Sequence, residues 1–377
     1  MLRIVADEKI PFLAGVLEPY AEITYMPGNL ICNEMIRDAN ALLVRTRTIC
    51  DKHLLKGTSV KFIATATIGF DHIDTEYCQA RNIAWFNSPG CNSSSVQQYM
   101  ASALLILSQE SNFDLTGKTI GIVGVGNVGS KVQRLAELFG MNVLLNDPPR
   151  ARKKAGLGFV SLDVLLQNSD VVTLHVPLIK SGADKTLQLL NENRLSKMKT
   201  GAWLINTSRG EVAENDVVKQ ALLSGKLAGA MLDVWENEPG IDLELLGLVS
   251  LGTPHIAGYS ADGKAKGTSM VVRSLSKHFG LPLTGFYPEQ VPLPCEPELV
   301  IDGAGKSVLQ VLTQAILYTY PIREDHFRLQ QSPGTFELQR SNYPLRREFA
   351  AYTVNLCNGS AGMVEALVSL GFLVKKI

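Results

Sequence analysis

The sequence predicts an α/β protein with two doubly wound parallel sheets, followed by a smaller α+β unit at the C-terminal end. Short β-branched runs alternate with segments of helical length from the first residue, which is typical of parallel βαβ units. The alternation occurs in two separate series. With 377 residues, the chain is long enough for two or three domains with buried cores.

Each element follows from a local pattern. The first series of strand candidates is "LRIVAD", "EITYM", "ALLVRT", "KFIATAT" and "IAWFNS". A strong helix candidate, "NSSSVQQYMASALLIL", comes next, with serines available as N-caps. The second series comprises "KTIGIVGVG", "NVLLND", "DVVTLHV", "GAWLINTS", "AGAMLDV" and "LVSLGTP". We therefore expect two sheets joined by a long helix.

In the remaining chain, glycine and proline residues predict where helices end and where a linker lies. "GKAKGTSMVVRSLSKHFG" has a helical pattern that Gly280 and Pro282 end. The proline-rich stretch "LPLTGFYPEQVPLPCEPE" indicates a linker. A third unit of mixed pattern begins at about Leu299.

Composition excludes several classes of function. Lys plus Arg and Asp plus Glu both total 36. The chain therefore lacks the excess of basic residues that would indicate a nucleic-acid partner. No apolar run approaches the ~20 residues that span a bilayer, and the early charges of "MLRIVADEKIPF" leave no room for a signal-peptide core. Six cysteines without a C-x-x-C pair indicate reduced thiols and no metal site. We predict a cytoplasmic protein without a membrane partner.

The stretch "TIGIVGVGNVGSKVQRLAELFGMNVLLND" predicts a dinucleotide site. An apolar strand leads into a G-x-G-x-x-G motif formed by Gly124, Gly126 and Gly129. The first glycine permits a tight turn, the second lets the backbone approach a pyrophosphate, and the third lets the following helix pack close to its strand. The N-terminus of that helix offers N–H groups and a partial positive charge to the phosphates.

An acid indicates which dinucleotide binds. Asp147 ends the next strand, where a carboxylate accepts hydrogen bonds from the adenosine ribose. Its charge would repel a 2′-phosphate, so NAD is predicted as the cofactor. Arg150 and Arg152 follow closely and offer the alternative, because they could accommodate that phosphate.

Three polar residues follow three strands of the second series. Arg209 lies in "WLINTSRG", Glu238 in "MLDVWENEPG" and His255 in "LGTPHIAG". Ligands of open α/β sheets gather outside the carboxyl ends of the strands. Arginine binds a carboxylate through two parallel hydrogen bonds, histidine takes a proton from a hydroxyl, and a neighbouring carboxylate orients the histidine. Together the three residues predict oxidation of a 2-hydroxy acid. Any one of them alone would be interpreted as an ordinary surface or interior side chain without a catalytic role.

Longer motifs resemble a known family. "GVGNVG", "NTSRGEVAENDVV", "LDVWENEP" and "TPHIAG" are similar to signatures of the NAD-dependent D-2-hydroxyacid dehydrogenases, and the resemblance covers about residues 1 to 290, including "ATATIGFDHID". "GCNSSSVQQY", "NDPPR", "GTPHIAGYSADGKAKGT" and "RREF" resemble most the members that oxidise 4-phospho-D-erythronate in pyridoxal phosphate biosynthesis. That resemblance implies the same NAD-dependent reaction here.

The resemblance also implies residue roles. Arg209 binds the substrate carboxylate, His255 is the general base, and Glu238 orients it. The implied cofactor contacts are Gly124, Gly126, Asn127, Val128, Gly129, Asp147, Val176, Thr207, Ser208, Arg209, Asp233 and Gly258. The expected substrate contacts are Arg45, Thr46, Thr67 and Tyr259.

The family architecture implies three domains and a homodimer. Residues 1–92 and 256–287 are expected to form a flavodoxin-like substrate lid, residues 93–255 a Rossmann NAD domain, and residues 291–377 a dimerisation domain. Within the last, "PLRREF" contributes Arg346 and Arg347. Two interpretations of this pair stay open: it reaches the partner's active site, or it is a solvated surface.

Other functions remain possible at this point. A dehydrogenase for 3-phosphoglycerate or glyoxylate shares the motifs but lacks this C-terminal unit. An NADH-sensing transcriptional corepressor shares the fold, and only turnover distinguishes it. A purely structural protein fits poorly with the combined cofactor and catalytic patterns.

Overall fold

A computed structural model describes residues 1–153 and 158–377. These residues form two compact units: Met1–Asn92 with Ser260–Pro292, and Ser93–Tyr259 with Leu293–Ile377. The predicted α/β class with parallel sheets is confirmed. Residues 256–259, expected in the lid, and the C-terminal residues, expected as a separate domain, belong to the second unit.

The strands are all parallel to their neighbours. In chain order they are β1 Leu2–Asp7, β2 Ala21–Met26, β3 Ala41–Val44, β4 Phe62–Thr65, β5 Ala84–Phe86, β6 Thr119–Val123, β7 Asn142–Asn146, β8 Val171–Leu174, β9 Ala202–Asn206, β10 Leu227–Leu232, β11 Leu251–Gly252, β12 Glu298–Asp302, β13 Thr353–Cys357 and β14 Leu373–Lys376.

The α-helices of the described ranges are α1 Lys52–Leu55, α2 Thr75–Ala80, α3 Ser93–Glu110, α4 Gly129–Leu138, α5 Pro148–Lys153, α6 Leu162–Asn168, α7 Glu192–Ser196, α8 Asn215–Leu223, α9 Leu243–Leu248, α10 Ala261–Phe279, α11 Val308–Thr319, α12 Ile322–Gln331, α13 Phe336–Ser341 and α14 Ala361–Leu370. Among these described residues, no helix is long and apolar enough to cross a membrane.

The first unit contains a five-stranded sheet in the order β2-β1-β3-β4-β5. Helix α10 packs on it through Val271, Val272 and Leu275, and it ends, as predicted, at Gly280 with φ 71°. The segments between the first three strands have helical length, but the helices expected there do not form. Turns join β1 to β2, and only short 3₁₀ segments lie between β2 and β3. Pro11 and Pro19 explain this for the first gap, since proline removes a helical hydrogen bond, whereas the only proline of the second gap is Pro27 at its first position.

The second unit contains a six-stranded sheet in the order β11-β10-β9-β8-β6-β7. The chain starts at β6, adds β7 on one side and continues from β8 on the other. The strand order therefore reverses between β6 and β8, and the crevice outside their carboxyl ends is where such sheets bind ligands. The long predicted helix is α3, whose side chains Tyr99, Met100 and Leu104 are fully buried.

The last 85 residues of this unit (293–377) add a three-stranded sheet, β12-β13-β14. Leu299, Val354 and Leu356 point into its core, where they join the hydrophobic cluster of α3 and α11. The opposite face carries exposed apolar side chains, with Val300 67% and Leu373 58% exposed. One face of this small sheet is thus buried and the other open in the single chain.

Helix α12 covers the outer edge of the six-stranded sheet. The Gly252 N–H of the terminal strand β11 donates to Nδ1 of the buried His326, at 2.9 Å. The Arg323 guanidinium donates to the Ser250 carbonyl, just before that strand. C-terminal residues therefore bind the strand that leads to His255.

Candidate active site

The glycine motif adopts the predicted strand–turn–helix conformation. Gly124 has φ 88°, and a Cβ there would lie 2.6 Å from the His175 carbonyl oxygen. A Cβ on Gly129 would lie 2.0 Å from the Gly124 carbonyl oxygen, so only glycine lets α4 approach β6 this closely. A Cβ on Gly126 would meet no described atom within 4 Å. That open side leaves room for a pyrophosphate, and the residues fit NAD in this respect.

A groove of about 440 Å³ opens at this turn. It is lined by Gly126, Asn127, Ser130, Lys131, Arg134 and Arg150. Helix α4 starts beside it, and its N-cap residue Val128 makes no side-chain capping bond. A helix N-terminus with nearby cations suits a dinucleotide pyrophosphate.

Asp147 follows β7 and lies against the glycine turn. Its Oδ2 accepts from the Val125 N–H at 2.9 Å and its Oδ1 from the Arg150 N–H at 3.0 Å. The Arg150 side chain donates to the Val125 carbonyl, whereas Arg152 forms an ion pair with Asp184 at 2.5 Å. The acid, and not Arg152, therefore lies at the strand end next to the groove.

The next strands supply the remaining expected cofactor residues. Val176 follows β8, and its side chain would lie 2.8 Å from a Cβ on Gly124. After β9, the Thr207 hydroxyl lies 3.2 Å from His175 Nδ1, and Ser208 donates to the Asn206 side chain at 2.8 Å. Burial lowers the pKa of His175 to about 3, so this ring is neutral.

His255 and Glu238, which follow β11 and β10, form a hydrogen-bonded pair. His255 Nδ1 lies 2.7 Å from Glu238 Oε2, and the Trp235 N–H donates to the other carboxylate oxygen at 2.9 Å. Burial raises the pKa of Glu238, but the hydrogen bond and the charge of His255, the Trp235 N–H bond and, last, the charge of Arg340 together outweigh it and hold the pKa below its usual value. The His255 side chain is 30% exposed, so its ring is accessible to a small ligand.

Arg209 follows β9 in extended conformation, and its guanidinium donates to the Ser208 carbonyl at 2.8 Å. The next residue, Gly210, is pressed against the loop of Glu238: a Cβ there would lie 2.0 Å from the Trp235 carbonyl oxygen. The strand order β9-β10-β11 places Arg209, Glu238 and His255 after three adjacent strands, as the sequence predicted.

Asp233 is buried beneath the His255 loop. Its Oδ1 accepts from the Thr253 hydroxyl and the Ile256 N–H, both at 2.7 Å, and its Oδ2 from the Ala257 N–H at 2.9 Å. Burial raises the pKa of this carboxyl, and the charge of His255 opposes that shift. The side chain expected to contact NAD is thus bonded to its own loop, beside the half-buried Gly258.

Tyr259, at the end of this loop, packs against C-terminal residues. Its ring lies 6.0 Å from the Tyr343 ring and 5.8 Å from the Arg340 guanidinium. Arg346 and Arg347 are only 5% and 8% exposed. The interpretation as a solvated surface is therefore wrong, because the side chains are buried in their own chain, whereas the contact with a partner's active site stays a prediction.

In the first unit, the expected substrate residues follow neighbouring strands β3 and β4. Arg45 is half-buried and donates to the Lys9 carbonyl at 3.2 Å, while Thr46 is exposed. The Thr67 hydroxyl donates to the Gly69 carbonyl at 3.0 Å and lies 2.7 Å from the Thr65 hydroxyl.

Several supporting residues were missed by the sequence reasoning. His175, Trp235 and Thr253 hold the cofactor turn and the two catalytic loops, and they lie in the predicted motifs without any special spacing. Arg340 comes from distant C-terminal residues; Arg346 was named from the sequence, but as a residue of a partner's site or of a solvated surface. Among the residues in the described ranges, no group of three or more His, Cys, Asp or Glu side chains could hold a metal ion.

The glycine turn with its acid, together with the histidine–carboxylate pair, defines a class of protein: an NAD-dependent dehydrogenase. The family model "D-isomer specific 2-hydroxyacid dehydrogenase, NAD binding domain" matches residues 95–257. A domain of unknown function, DUF3410, matches residues 295–371.

Relatives of known name match nearly the whole chain. An erythronate-4-phosphate dehydrogenase of Bacteroides fragilis is 47% identical, over 94% of this chain and 99% of that one. A protein of the same name from Chromohalobacter salexigens is 40% identical over 99% of both chains. The chain therefore belongs to the D-isomer specific 2-hydroxyacid dehydrogenases, and within them to the erythronate-4-phosphate dehydrogenase family.

Solved structures agree with the fold. The D-lactate dehydrogenase of Aquifex aeolicus, in complex with NAD and lactic acid, is 28% identical with a TM-score of 0.61, over 76% of this chain and 98% of that chain. The TT0316 protein of Thermus thermophilus is also 28% identical, with a TM-score of 0.64 over 74% of this chain and 97% of that chain. These neighbours confirm the predicted fold and the NAD cofactor.

Proposed function

We propose that this dehydrogenase oxidises 4-phospho-D-erythronate at C2 to (R)-3-hydroxy-2-oxo-4-phosphooxybutanoate, a step of pyridoxal 5′-phosphate biosynthesis. The substrate is taken from the names of the relatives that match nearly the full chain. The observation that carries the chemistry is the 2.7 Å hydrogen bond between His255 and Glu238 at the ends of adjacent strands.

His255 is the general base in this proposal. Because its Nδ1 faces the Glu238 carboxylate, the proton of the neutral ring lies on Nδ1 and Nε2 is left as the acceptor. Nε2 takes the proton of the C2 hydroxyl, and Glu238 stabilises the imidazolium that forms. The low pKa of Glu238 keeps that residue ionised for this task.

Arg209 binds the substrate carboxylate in this proposal, since its planar guanidinium matches two carboxylate oxygens. Bound NAD supplies the hydride acceptor, at C4 of its nicotinamide. The residues assigned to hold NAD are Gly124, Gly126, Asn127, Val128, Gly129, Asp147, Val176, Thr207, Ser208, Arg209, Asp233 and Gly258. For Asp233 the assignment is indirect, because its carboxylate is occupied by the His255 loop.

Substrate contacts are assigned unit by unit. In the first unit, Arg45 and Thr46 follow β3 and Thr67 follows β4, so a cation and two hydroxyls lie at one edge of that sheet. A phosphate group needs such donors. In the second unit, the Tyr259 ring adjoins the His255 loop and the Arg340 cation.

We also propose a homodimer that forms through residues 291–377. Its support is the open face of the sheet β12-β13-β14, where Val300 and Leu373 are exposed in the single chain. All six cysteines are free, which agrees with a reducing cytoplasm as the proposed location.

The test is the rate of NADH formation, followed by absorbance, with a panel of acids at equal concentration. The panel contains 4-phosphoerythronate, unphosphorylated erythronate, 3-phosphoglycerate and D-lactate. The proposal expects 4-phosphoerythronate to have the highest kcat/KM, and His255→Ala to lower its kcat by roughly 10²- to 10⁴-fold with NAD affinity kept. Turnover of another acid but not this one would refute the substrate, and turnover of none would favour the corepressor.

A further inference from the structure

The His255 loop has an unfavourable backbone that other residues must hold. His255 has φ 57°, in the left-handed region that non-glycine residues seldom occupy. Such a conformation persists only where its surroundings fix it. Three successive N–H groups are bonded to one residue: His255 to the Asp233 carbonyl at 2.7 Å, and Ile256 and Ala257 to its carboxylate.

A C-terminal arginine holds the same loop from the other side. Arg346 Nη2 donates to the Ala257 carbonyl at 2.6 Å. Ala257 therefore lies between two opposite charges, since its N–H faces the Asp233 carboxylate and its carbonyl faces the Arg346 guanidinium. Both charged groups are buried, where such hydrogen bonds are strong.

The surroundings of Arg346 are more specialised than packing requires. Its guanidinium lies 4.4 Å from the centre of the Tyr320 ring and 5.8 Å from that of Tyr343. The hydroxyls of both tyrosines donate to Asp325 Oδ2, at 2.8 and 2.6 Å, so the aromatic faces separate the cation from a carboxylate. Arg346 Nε and Nη1 have no hydrogen-bond partner among the described residues.

A buried arginine with two unsatisfied nitrogens is unfavourable for stability, and an apolar side chain of similar volume would fill the space at less cost. Methionine could replace neither the cation–π contacts with the two tyrosines nor the bond to Ala257, and of these only the bond to Ala257 reaches the His255 loop. The role of the buried Arg346 charge is therefore its hydrogen bond to the backbone of Ala257, two residues after His255.

We propose that the C-terminal segment 320–346 is a positioning element for His255, and that Arg346 is its positioning residue. The segment lies within residues 295–371, which match a domain of unknown function. It binds the loop at its end through Arg346 and binds β11, before the loop, through His326. The inference rests on the proposed role of His255 as base.

The test compares three variants of the full chain by steady-state kinetics with 4-phosphoerythronate and NAD. Arg346→Met keeps side-chain volume but removes the bond to Ala257, and we expect kcat to fall on the order of 10- to 100-fold, because small misplacement of a catalytic group has such effects. The KM for NAD should change by a smaller factor than kcat, because Gly258 is the one residue after His255 in this loop that is assigned to NAD. Arg346→Lys keeps a cation and should lose less kcat. Val354→Ala, a cavity in β13, is the control for lost stability alone.

Amide hydrogen exchange provides a second readout that needs no turnover. Arg346→Met should lose protection in the peptide of residues 253–259, while protection of β6 and α4 stays at the parent level. Val354→Ala should instead lose protection in its own sheet, β12-β13-β14, with the loop still protected. If Arg346→Met does not fold, Arg346→Lys is compared with the parent in the same way.

Three outcomes would overturn the proposal: parental kcat in the folded Arg346 variants, equal loss of kcat in Val354→Ala, or unchanged exchange at residues 253–259. Failure of the proposed function is distinguishable from these results. In that case His255→Ala would keep its kcat, while the exchange of the loop would still respond to Arg346.

Discussion

Replacing Glu238 by glutamine tests the hydrogen bond between Glu238 and His255, because the new side-chain amide can face His255 only with its NH₂ group. In the parent, one Glu238 oxygen accepts the Trp235 N–H at 2.9 Å and the other faces His255 Nδ1 at 2.7 Å. The glutamine oxygen must accept the Trp235 N–H, so its NH₂ group faces Nδ1. An NH₂ donor requires Nδ1 to be an acceptor, which moves the ring proton to Nε2.

The consequence is a base with its proton on the wrong nitrogen. Nε2 can no longer take the proton of the substrate hydroxyl, and the imidazolium loses its carboxylate partner. General-base catalysis contributes about 10²- to 10⁴-fold, so kcat should fall by that factor, or about 3 to 5.5 kcal/mol at 1.36 kcal/mol per tenfold. The KM for NAD should change little, since the backbone and the Trp235 bond are kept.

The assay is the initial rate of NADH formation with saturating 4-phosphoerythronate. Glu236→Gln is the matched control, because it makes the same charge change on the same loop but its carboxylate accepts the Asn215 N–H at 2.8 Å and does not face His255. A kcat for Glu238→Gln within a few-fold of the control would refute the tautomer argument.

Four further predictions concern specificity, pH and assembly. Arg209→Lys should raise the KM for the acid by about tenfold or more, because an ammonium cannot donate two parallel hydrogen bonds to the carboxylate as the planar guanidinium does. Titration with substrate measures this KM. Asp147→Ser should raise kcat/KM with NADP relative to NAD, since it removes repulsion of the 2′-phosphate. Arg340→Met removes a charge that lowers the pKa of Glu238, so the Glu238 carboxyl should titrate at higher pH than in the parent, which NMR of its labelled carboxyl carbon measures. Val300→Asp should convert the proposed dimer to a monomer in light scattering.

Each of these has a contradicting outcome. Unchanged KM in Arg209→Lys would remove this residue from carboxylate binding. If the parent enzyme already prefers NADP, then Arg150, and not Asp147, determines which cofactor binds. An unmoved Glu238 titration in Arg340→Met would show that the Arg340 charge does not act on this carboxyl, and a dimer that survives Val300→Asp would place the interface elsewhere.

The sequence predicted the parts of the site that depend on local patterns. The glycine spacing requires a turn that only such residues allow, and Gly124 and Gly129 adopt it. Arg209, Glu238 and His255 could be grouped because the carboxyl ends of parallel strands meet at one edge of a sheet. Strand candidates were found because parallel strands are continuous apolar runs.

Features that depend on distant packing were not predictable in this way. The run "RREF" is typical of an exposed surface, yet Arg346 is buried because Tyr320 and Tyr343 form its surroundings. The inward direction of Asp233 depends on N–H groups more than twenty residues later in the chain. In the first unit, the missing helix between β1 and β2 shows that loop length alone does not predict a helix where prolines intervene.

The edge contact of β11 has a consequence for solubility. A terminal strand with free N–H groups is a template for strand addition and aggregation, and the ring of His326 occupies that position at Gly252. Burial, reinforced by the charge of Arg323, lowers the pKa of His326 below its usual 6.5. As pH falls through that value, the unfolded chain gains a proton on this residue before the folded chain does, so the folded state loses stability. Acidification should therefore uncover this sheet edge and make the protein prone to edge-to-edge association.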